Sequence, residues 1–511
     1  YWDAYRKVNQ KFFSALEDRI RPDDYIWVQD YHLMLLPRLI RDAMPDAKIG
    51  FFLHTPFPSS ELFRLLPWRS EILNGILGAD LIGFHTYDYV RHFLESVRRI
   101  VGYEHSFSQI TTRNRQLRVD AFPIGIDYDK YANAFQLPQV RKEMSKNLRR
   151  LGDNQVILSI DRLDYSKGIP QRIEAFDYFL EEYPEYRGKV TLIMVAVPSR
   201  TDVETYKDLK KKLDGLVGSI NGKFGTIDWM PVYYLYRSLN FNTLTALYNI
   251  SDIALVTPIR DGMNLIAKEY IASKADGNGV LILSETAGAA KELGESIIIN
   301  PNNKEEIAEA IRTALEMPEE ERIRRIRLMQ PRIERYNVQR WAIDFVKELD
   351  NIKRKQQELL GRRLVTKEQN RLLNDFEKAS NRLLFLDYDG TLIPFVKKPE
   401  EARPDKEILD TLKKLTANEA NNVVIISGRG REKLEEWFSD IRVRIIAEHG
   451  VWYREIDGKW DTITQIKSEW KSEIKPLLEL FVDRTPGSHL EEKDYSLVWH
   501  YRQVEPSLAM V

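Results

Sequence analysis

Over roughly the first 330 residues, short apolar runs alternate with stretches of helical period. Ile26–Val28, Ile49–Leu53, Leu81–Phe84, Val156–Ile160, Val190–Val197, Ile253–Thr257 and Val280–Leu283 have the length and side-chain type of strands. Between them apolar positions recur every three or four residues. In Gln171–Glu182, for example, Ile173, Phe176, Phe179 and Leu180 share one face. Strands apolar on both faces and separated by helices imply parallel sheets covered on two sides. Phe122–Pro138 carries Pro and Gly without a period and reads as a joint between two α/β units. From 331 to 380 the pattern changes to highly charged helix, read as a solvated connector. A new alternation begins with Leu383–Leu386 and Val423–Ile426 and predicts a third α/β unit.

Composition narrows the function classes. A chain of 511 residues holds about three or four domains. With 43% apolar and 30% charged residues, disorder is excluded as the main state. Lys and Arg number 76 against 77 Asp and Glu, a net charge of -1, so no broad electrostatic grip on nucleic acid or acidic lipid is expected. Cys is absent, which excludes disulfides, thiolate metal sites and a cysteine nucleophile and fits a cytoplasmic location. No apolar run approaches the ~18 residues of a membrane span. The opening YWDAYRKVNQ has neither Met nor a targeting signal, which suggests a piece of a longer protein.

In open parallel sheets ligands bind outside the carboxyl ends of the strands, and unusual side chains fall there. Asp30 and His32 follow the first strand, and His54 follows the second. Arg162, Asp164 and Lys167 follow ILSIDRLDYSKG, Arg200 follows VTLIMVAVPSR, and Asp261 follows ALVTPIRDG, with Glu269 two helical turns beyond. Singly, His54 reads as a satisfied, partly buried histidine and Asp261 as a helix cap. Five strand ends together read as a polar cleft. Arg162 and Lys167, beside Gly168 and Pro170 at a helix start, suit a diphosphate. Glu269 suits paired ribose hydroxyls, and Asp30, His54 and Asp261 suit sugar hydroxyls. Those residues describe a nucleotide-sugar cleft between two α/β halves, without a metal cage.

QDYHLMLLP, GFFLHTPFPSSELF, DRLDYSKGIPQR and TPIRDGMNLIAKEY together resemble the trehalose-6-phosphate synthases, retaining glycosyltransferases of the two-Rossmann (GT-B) type. The resemblance spans about 350 residues. It implies a first Rossmann-like domain over 1–135 that binds the acceptor, and a second over 136–330 that binds the nucleotide sugar. It implies UDP-glucose as donor, with Arg162 and Lys167 on the diphosphate and Glu269 on the ribose. Asp261 would hold the hexose hydroxyls, with backbone help from Gly262, Met263 and Asn264, and His54 would contact the donor sugar. Asp30 would position the reacting sugars, and Arg200 would take the phosphate of glucose 6-phosphate. No cofactor is implied for that reaction, and a homo-oligomer is left open. The family also places a strand and a glycine-rich loop ahead of the helix read over Tyr1–Ile20, so the first unit is expected to be cut through its sheet. Two other readings stand beside this one: a non-catalytic regulatory or scaffold relative, and another two-Rossmann glucosyltransferase.

In LLFLDYDGTL an apolar strand ends at Asp387, with Asp389 two residues on. In NVVIISGRG a second strand ends at Ser427. Paired Asp at that spacing can serve as nucleophile and proton donor while meeting Mg. With AEHGVWYR (Ala447–Arg454), the segment resembles the haloacid-dehalogenase-type trehalose-6-phosphate phosphatases. That implies an aspartyl-phosphate on Asp387, acid–base work by Asp389, phosphoryl binding by Ser427 and Mg at Asp387 and Asp389. A later Lys and acidic pair are also required, and no strand end between Glu448 and Val511 is read as supplying them. An incomplete phosphatase domain over 381–511, without activity, is therefore expected.

Overall fold

The computed structural model describes residues 1–500 apart from 107, 113–114, 201–202, 361–365, 395–401, 457, 463–468, 485–487 and 494. The chain forms two compact units, Tyr1–Gln356 and Gln357–Val511.

The first unit holds two six-stranded sheets. One contains β1 (Tyr25–Gln29), β2 (Lys48–Phe52), β3 (Leu81–Phe84), β4 (His105–Ser106), β5 (Gln109–Thr111) and β6 (Gln116–Ala121), in the order β1-β2-β3-β6-β5-β4. Its first four neighbours run parallel, while β4 and β5 add antiparallel. The other contains β7 (Gln155–Arg162), β8 (Val190–Val197), β9 (Val232–Leu235), β10 (Ile253–Val256), β11 (Val280–Ser284) and β12 (Ile297–Ile299), in the order β12-β11-β10-β7-β8-β9, all parallel. β3, β10 and β11 are buried along their whole length, as continuous apolar runs require when helices cover both faces. The expected strands are all present. β4, β5, β6, β9 and β12 were not foreseen, because they are short or alternate polar with apolar residues, as QLRVDA does.

Half of the charged stretch after 330 departs from the expectation of a solvated connector. The helix Val338–Leu360 lays Trp341, Phe345, Leu349 and Ile352 on the first sheet, in one core with Phe52, Leu81 and Phe122. Phe345 stacks on Trp27 at 4.3 Å and lies directly over Gly50 and Gly83, where a Cβ would meet its ring. The charges stay on the outer face, as in the Arg340–Asp344 pair. Lys353 and Gln356 reach Asp80, which is fully buried at the start of β3 and also pairs with Arg41 at 2.7 Å and Arg115 at 2.9 Å. Burial pushes the Asp80 carboxyl up, but the three cations more than offset it and hold it below its ordinary value.

The second unit contains β13 (Arg382–Asp387), β14 (Asn421–Ile426) and β15 (Arg444–Ala447), parallel to one another. β16 (Trp452–Arg454) and β17 (Trp460–Thr462) extend this sheet antiparallel, and β18 (His489–Glu492) and β19 (Leu497–His500) form a separate hairpin.

Candidate active site

The carboxyl edges of the two sheets in the first unit meet. A Cβ on Gly262, just after β10, would lie 1.9 Å from the carbonyl oxygen of His54, just after β2, so only glycine permits this approach. On the first-sheet side Asp30 Oδ1 accepts from the His54 backbone N–H at 3.2 Å, and His54 Nε2 meets Gln29 Oε1 at 2.9 Å. Burial lowers the His54 pKa, with nearby Asp30 opposing the shift. Behind it His85 is buried, its ring 5.3 Å from that of His54, and burial together with His54 lowers its pKa to about 3.

On the second-sheet side Asp164 caps the turn after β7, accepting from the Ser166 N–H at 2.9 Å, and Gly168 (φ 65°) starts the helix Ile169–Glu182 with Pro170 in its first turn. This turn delivers Lys167 Nζ to Asp261 Oδ2 at 2.5 Å. Asn264 Nδ2 donates to the same oxygen at 3.1 Å while its own Oδ1 caps the helix Leu265–Ser273. The loop Asp261–Asn264 is pinned from behind, with Gly288 N–H donating to Asp261 O and Ala289 N–H to Met263 O. Beneath the turn, Arg172 on the helix Ile169–Glu182 is fully buried. It pairs with Asp161 at 2.9 Å and donates to Ser159, Thr257 and the Lys167 carbonyl, tying β7, β10 and the turn together.

Arg162, the last residue of β7, is exposed and has no side-chain partner among the described residues, which leaves its guanidinium available to an anion. Arg200, after β8, crosses between the halves. It donates to Tyr31 at 3.0 Å and to Tyr206 at 3.1 Å, and Tyr206 in turn donates to Asp164. Glu269, on the helix Leu265–Ser273, accepts from Tyr248 at 2.8 Å, with the Tyr131 phenol beside it. Burial raises its pKa, and those phenols and Lys130 counter the rise. Asp30 (φ 67°), Arg200 (φ 47°) and Asn264 (φ 80°) are three of the five described non-glycine residues at positive φ. Strain of that kind gathers where a side chain must point in a set direction.

Asp30, His54, Lys167, Asp261, Gly262 and Asn264 are thus brought together, with Arg200 tied to Tyr31 beside Asp30. Gln29, Tyr31, Tyr206, Tyr248 and Tyr131 were not singled out in the sequence. Tyr31 stood in plain view within QDYHL, whereas Tyr206 and Tyr248 sit inside helices and read as core.

In the second unit Asp387 ends β13 and accepts from Thr391 Oγ1 at 3.0 Å, and Ser427 is buried just past the end of β14. Arg429 grips Asp389 bidentately at 2.7 and 2.9 Å. Contrary to expectation, a lysine at a strand end does arrive: Lys493, just after β18, donates to the Gly428 carbonyl beside Ser427 at 2.7 Å. The described residues hold no group of three or more His, Cys, Asp or Glu able to ligate a metal, and Asp389 is committed to Arg429. Asp387 and Asp389 are the two carboxylates at these strand ends that would meet Mg.

A family model described as Glycosyltransferase family 20 matches residues 1–351, and one described as Trehalose-phosphatase matches 385–510. The chain is 47% identical over 513 residues to the bifunctional trehalose-6-phosphate synthase/phosphatase of Thermoproteus tenax, covering all of this chain and 70% of that protein. The UDP-forming α,α-trehalose-phosphate synthase of Burkholderia xenovorans, solved with glucose-6-phosphate, superposes with a TM-score of 0.66 at 37% identity, over 68% of this chain and 79% of that one. An E. coli protein solved with UDP-2-fluoro glucose gives 0.66 at 38% identity, over 68% and 78%.

Proposed function

The chain belongs to glycosyltransferase family 20, the UDP-forming trehalose-phosphate synthases, with a phosphatase-type segment behind the synthase part, and from that premise we propose which residues perform the transfer. Glucose passes from UDP-glucose to glucose 6-phosphate with retention, giving α,α-trehalose 6-phosphate and UDP. The observation that carries this reading is the convergence of Lys167 and Asn264 on one Asp261 oxygen, at 2.5 and 3.1 Å, at the loop that approaches the His54 carbonyl of the other sheet.

Arg162 and Lys167 take the donor diphosphate, Lys167 turning from Asp261 to a phosphate oxygen. The leaving UDP gains negative charge in the transition state, and preorganised cations stabilise that change more than they stabilise the bound donor. Asp261 and the backbone of Gly262, Met263 and Asn264 hold the hexose hydroxyls opposite His54, whose lowered pKa keeps its imidazole neutral. Glu269 accepts from the ribose. Arg200, steadied by Tyr31 and Tyr206, takes the acceptor phosphate, and Asp30 fixes the sugars through its hold on the His54 backbone. The acceptor hydroxyl attacks the face the diphosphate leaves and passes its proton to a departing phosphate oxygen. No carboxylate nucleophile is needed, and we assign no cofactor to this step. The described residues contain no helix long and apolar enough to cross a membrane, which is compatible with the proposed cytoplasmic location.

The test measures UDP release from UDP-glucose with and without glucose 6-phosphate, with GDP- and ADP-glucose as competing donors. Release that requires the acceptor and falls roughly 10²–10³-fold in Arg162→Ala supports the reading. No release with or without the acceptor favours the non-catalytic regulatory relative, and near-unchanged turnover in Arg162→Ala rejects the role given to that residue.

A further inference from the structure

Glu269 does not stand alone in the donor site. Tyr248, on the helix Phe241–Ile250, is 1% exposed, and its hydroxyl donates to Glu269 Oε2 at 2.8 Å. Tyr131, on the short helix Tyr128–Ala132 within the joint between the two halves, lies beside the same carboxylate, and each group shifts the other's pKa. Its ring meets Phe241 edge-on at 5.5 Å, and Phe241 begins the helix carrying Tyr248, so the two phenols approach from elements braced against each other. A carboxylate offers about four lone-pair directions. The Tyr248 hydroxyl takes one of that set, the Tyr131 phenol borders the carboxylate, and the remaining directions are left for a ligand.

We propose that Tyr248 and Tyr131 are positioning residues that orient the Glu269 carboxylate to accept both hydroxyls of a nucleoside ribose. They therefore set the preference of this site for ribonucleotide over deoxynucleotide donors. The proposal rests on the reading of Glu269 as the ribose group. Its chemistry is general: recognition of a vicinal diol by one carboxylate needs an acceptor that is ionised and turned to a fixed angle.

Burial alone would push Glu269 toward its neutral form, in which one oxygen becomes a donor and the acceptor pair is lost. The groups opposing that are Tyr248 from one helix, and Tyr131 and Lys130 from another. On its own helix, the neighbouring Lys268 is occupied elsewhere, by Glu292 at 2.5 Å and the Ile124 carbonyl at 2.8 Å. Removing a phenolic donor therefore acts twice: it frees the carboxylate to rotate, and it raises its proton affinity.

The experiment compares the full chain with Tyr248→Phe and Tyr131→Phe, measuring calorimetric affinity for UDP and 2′,3′-dideoxy-UDP at pH 8 and pH 6, together with kcat and KM for UDP-glucose. Tyr131 is only half-buried, so its variant stands in if Tyr248→Phe does not fold. The parent is expected to prefer UDP by about tenfold or more, the range of hydrogen bonds to a charged group. In the variants the preference should narrow to about two- to threefold, through a higher KM with kcat nearly unchanged, and the loss should deepen as the pH falls. A variant that keeps the full preference, or that weakens both ligands equally, overturns the proposal. A parent that does not distinguish the two ligands overturns the ribose reading of Glu269 itself, and the proposal with it.

Discussion

Gly262→Ala is the sharpest perturbation of the contact between the two halves. The added Cβ would sit 1.9 Å from the His54 carbonyl oxygen, 3.0 Å from its carbon and 3.3 Å from Cδ2 of His85, whereas ordinary contact begins at 3.4 Å. The nearest obstacle is backbone on a strand end, and the next is a buried ring. Neither can swing aside, so the loop Asp261–Asn264 must retreat by about 1.5 Å, close to the full overlap of the repulsive walls. A displacement near 1 Å at a reacting centre costs about 10²-fold in rate, while overpacking of this kind costs about 1–3 kcal/mol of stability. The variant should therefore remain folded, with kcat/KM for acceptor-dependent UDP release at least about 100-fold lower. Its affinity for UDP should fall as well, because the retreating loop carries Asp261, which meets Lys167, and Asn264, which caps the helix of Glu269. Stopped UDP-release assays, thermal melting and calorimetry together read all three quantities. Activity within threefold of the parent in a folded Gly262→Ala protein would refute the reasoning that this approach sets the site.

Other changes probe what holds the site. Arg172→Ala leaves Asp161 buried without its partner and should cost about 3–5 kcal/mol in chemical denaturation; a loss below 1 kcal/mol would contradict the role of that guanidinium as the tie beneath the Lys167 turn. Phe345→Ala empties the space between Trp27, Phe52 and Phe122 and should cost about 3–5 kcal/mol, a value checked by the same measurement. Asp80→Asn strands Arg41, Arg115 and Lys353 and should destabilise by a similar ~3–5 kcal/mol near pH 7. The folded pKa of Asp80 is depressed, so its contribution is present above the unfolded value of about 4 and is lost as pH falls through the folded pKa. The gap between parent and variant should accordingly close in acid, and a gap constant with pH would contradict the assignment.

The strand ends that build the candidate site were legible because the strands are buried on both faces. Runs such as VTLIMVAV announce themselves, and whatever polar residue ends them stands out, as Arg162, Arg200 and Asp261 do. The same logic failed at β9, where VYYL is mostly half-exposed, and at the antiparallel run β4-β5-β6, whose polar positions hide its strands. The helix Val338–Leu360 misled by its charge. Trp341, Phe345, Leu349 and Ile352 recur at intervals of four, four and three, a packed stripe that a count of charges conceals. Tyr248 was invisible for another reason: a tyrosine in an apolar helix looks like core until a carboxylate from a different helix is seen at its hydroxyl. Lys493 was passed over because nothing in EEKDYS marks a strand end.

The most direct measurement is the structure of the full chain with UDP-glucose bound. The account predicts the diphosphate within hydrogen-bond distance of Arg162 and Lys167, the ribose on Glu269, and the hexose against Gly262–Asn264 opposite His54. A donor seated elsewhere, with Lys167 still paired to Asp261 and Glu269 touching no hydroxyl, would contradict it.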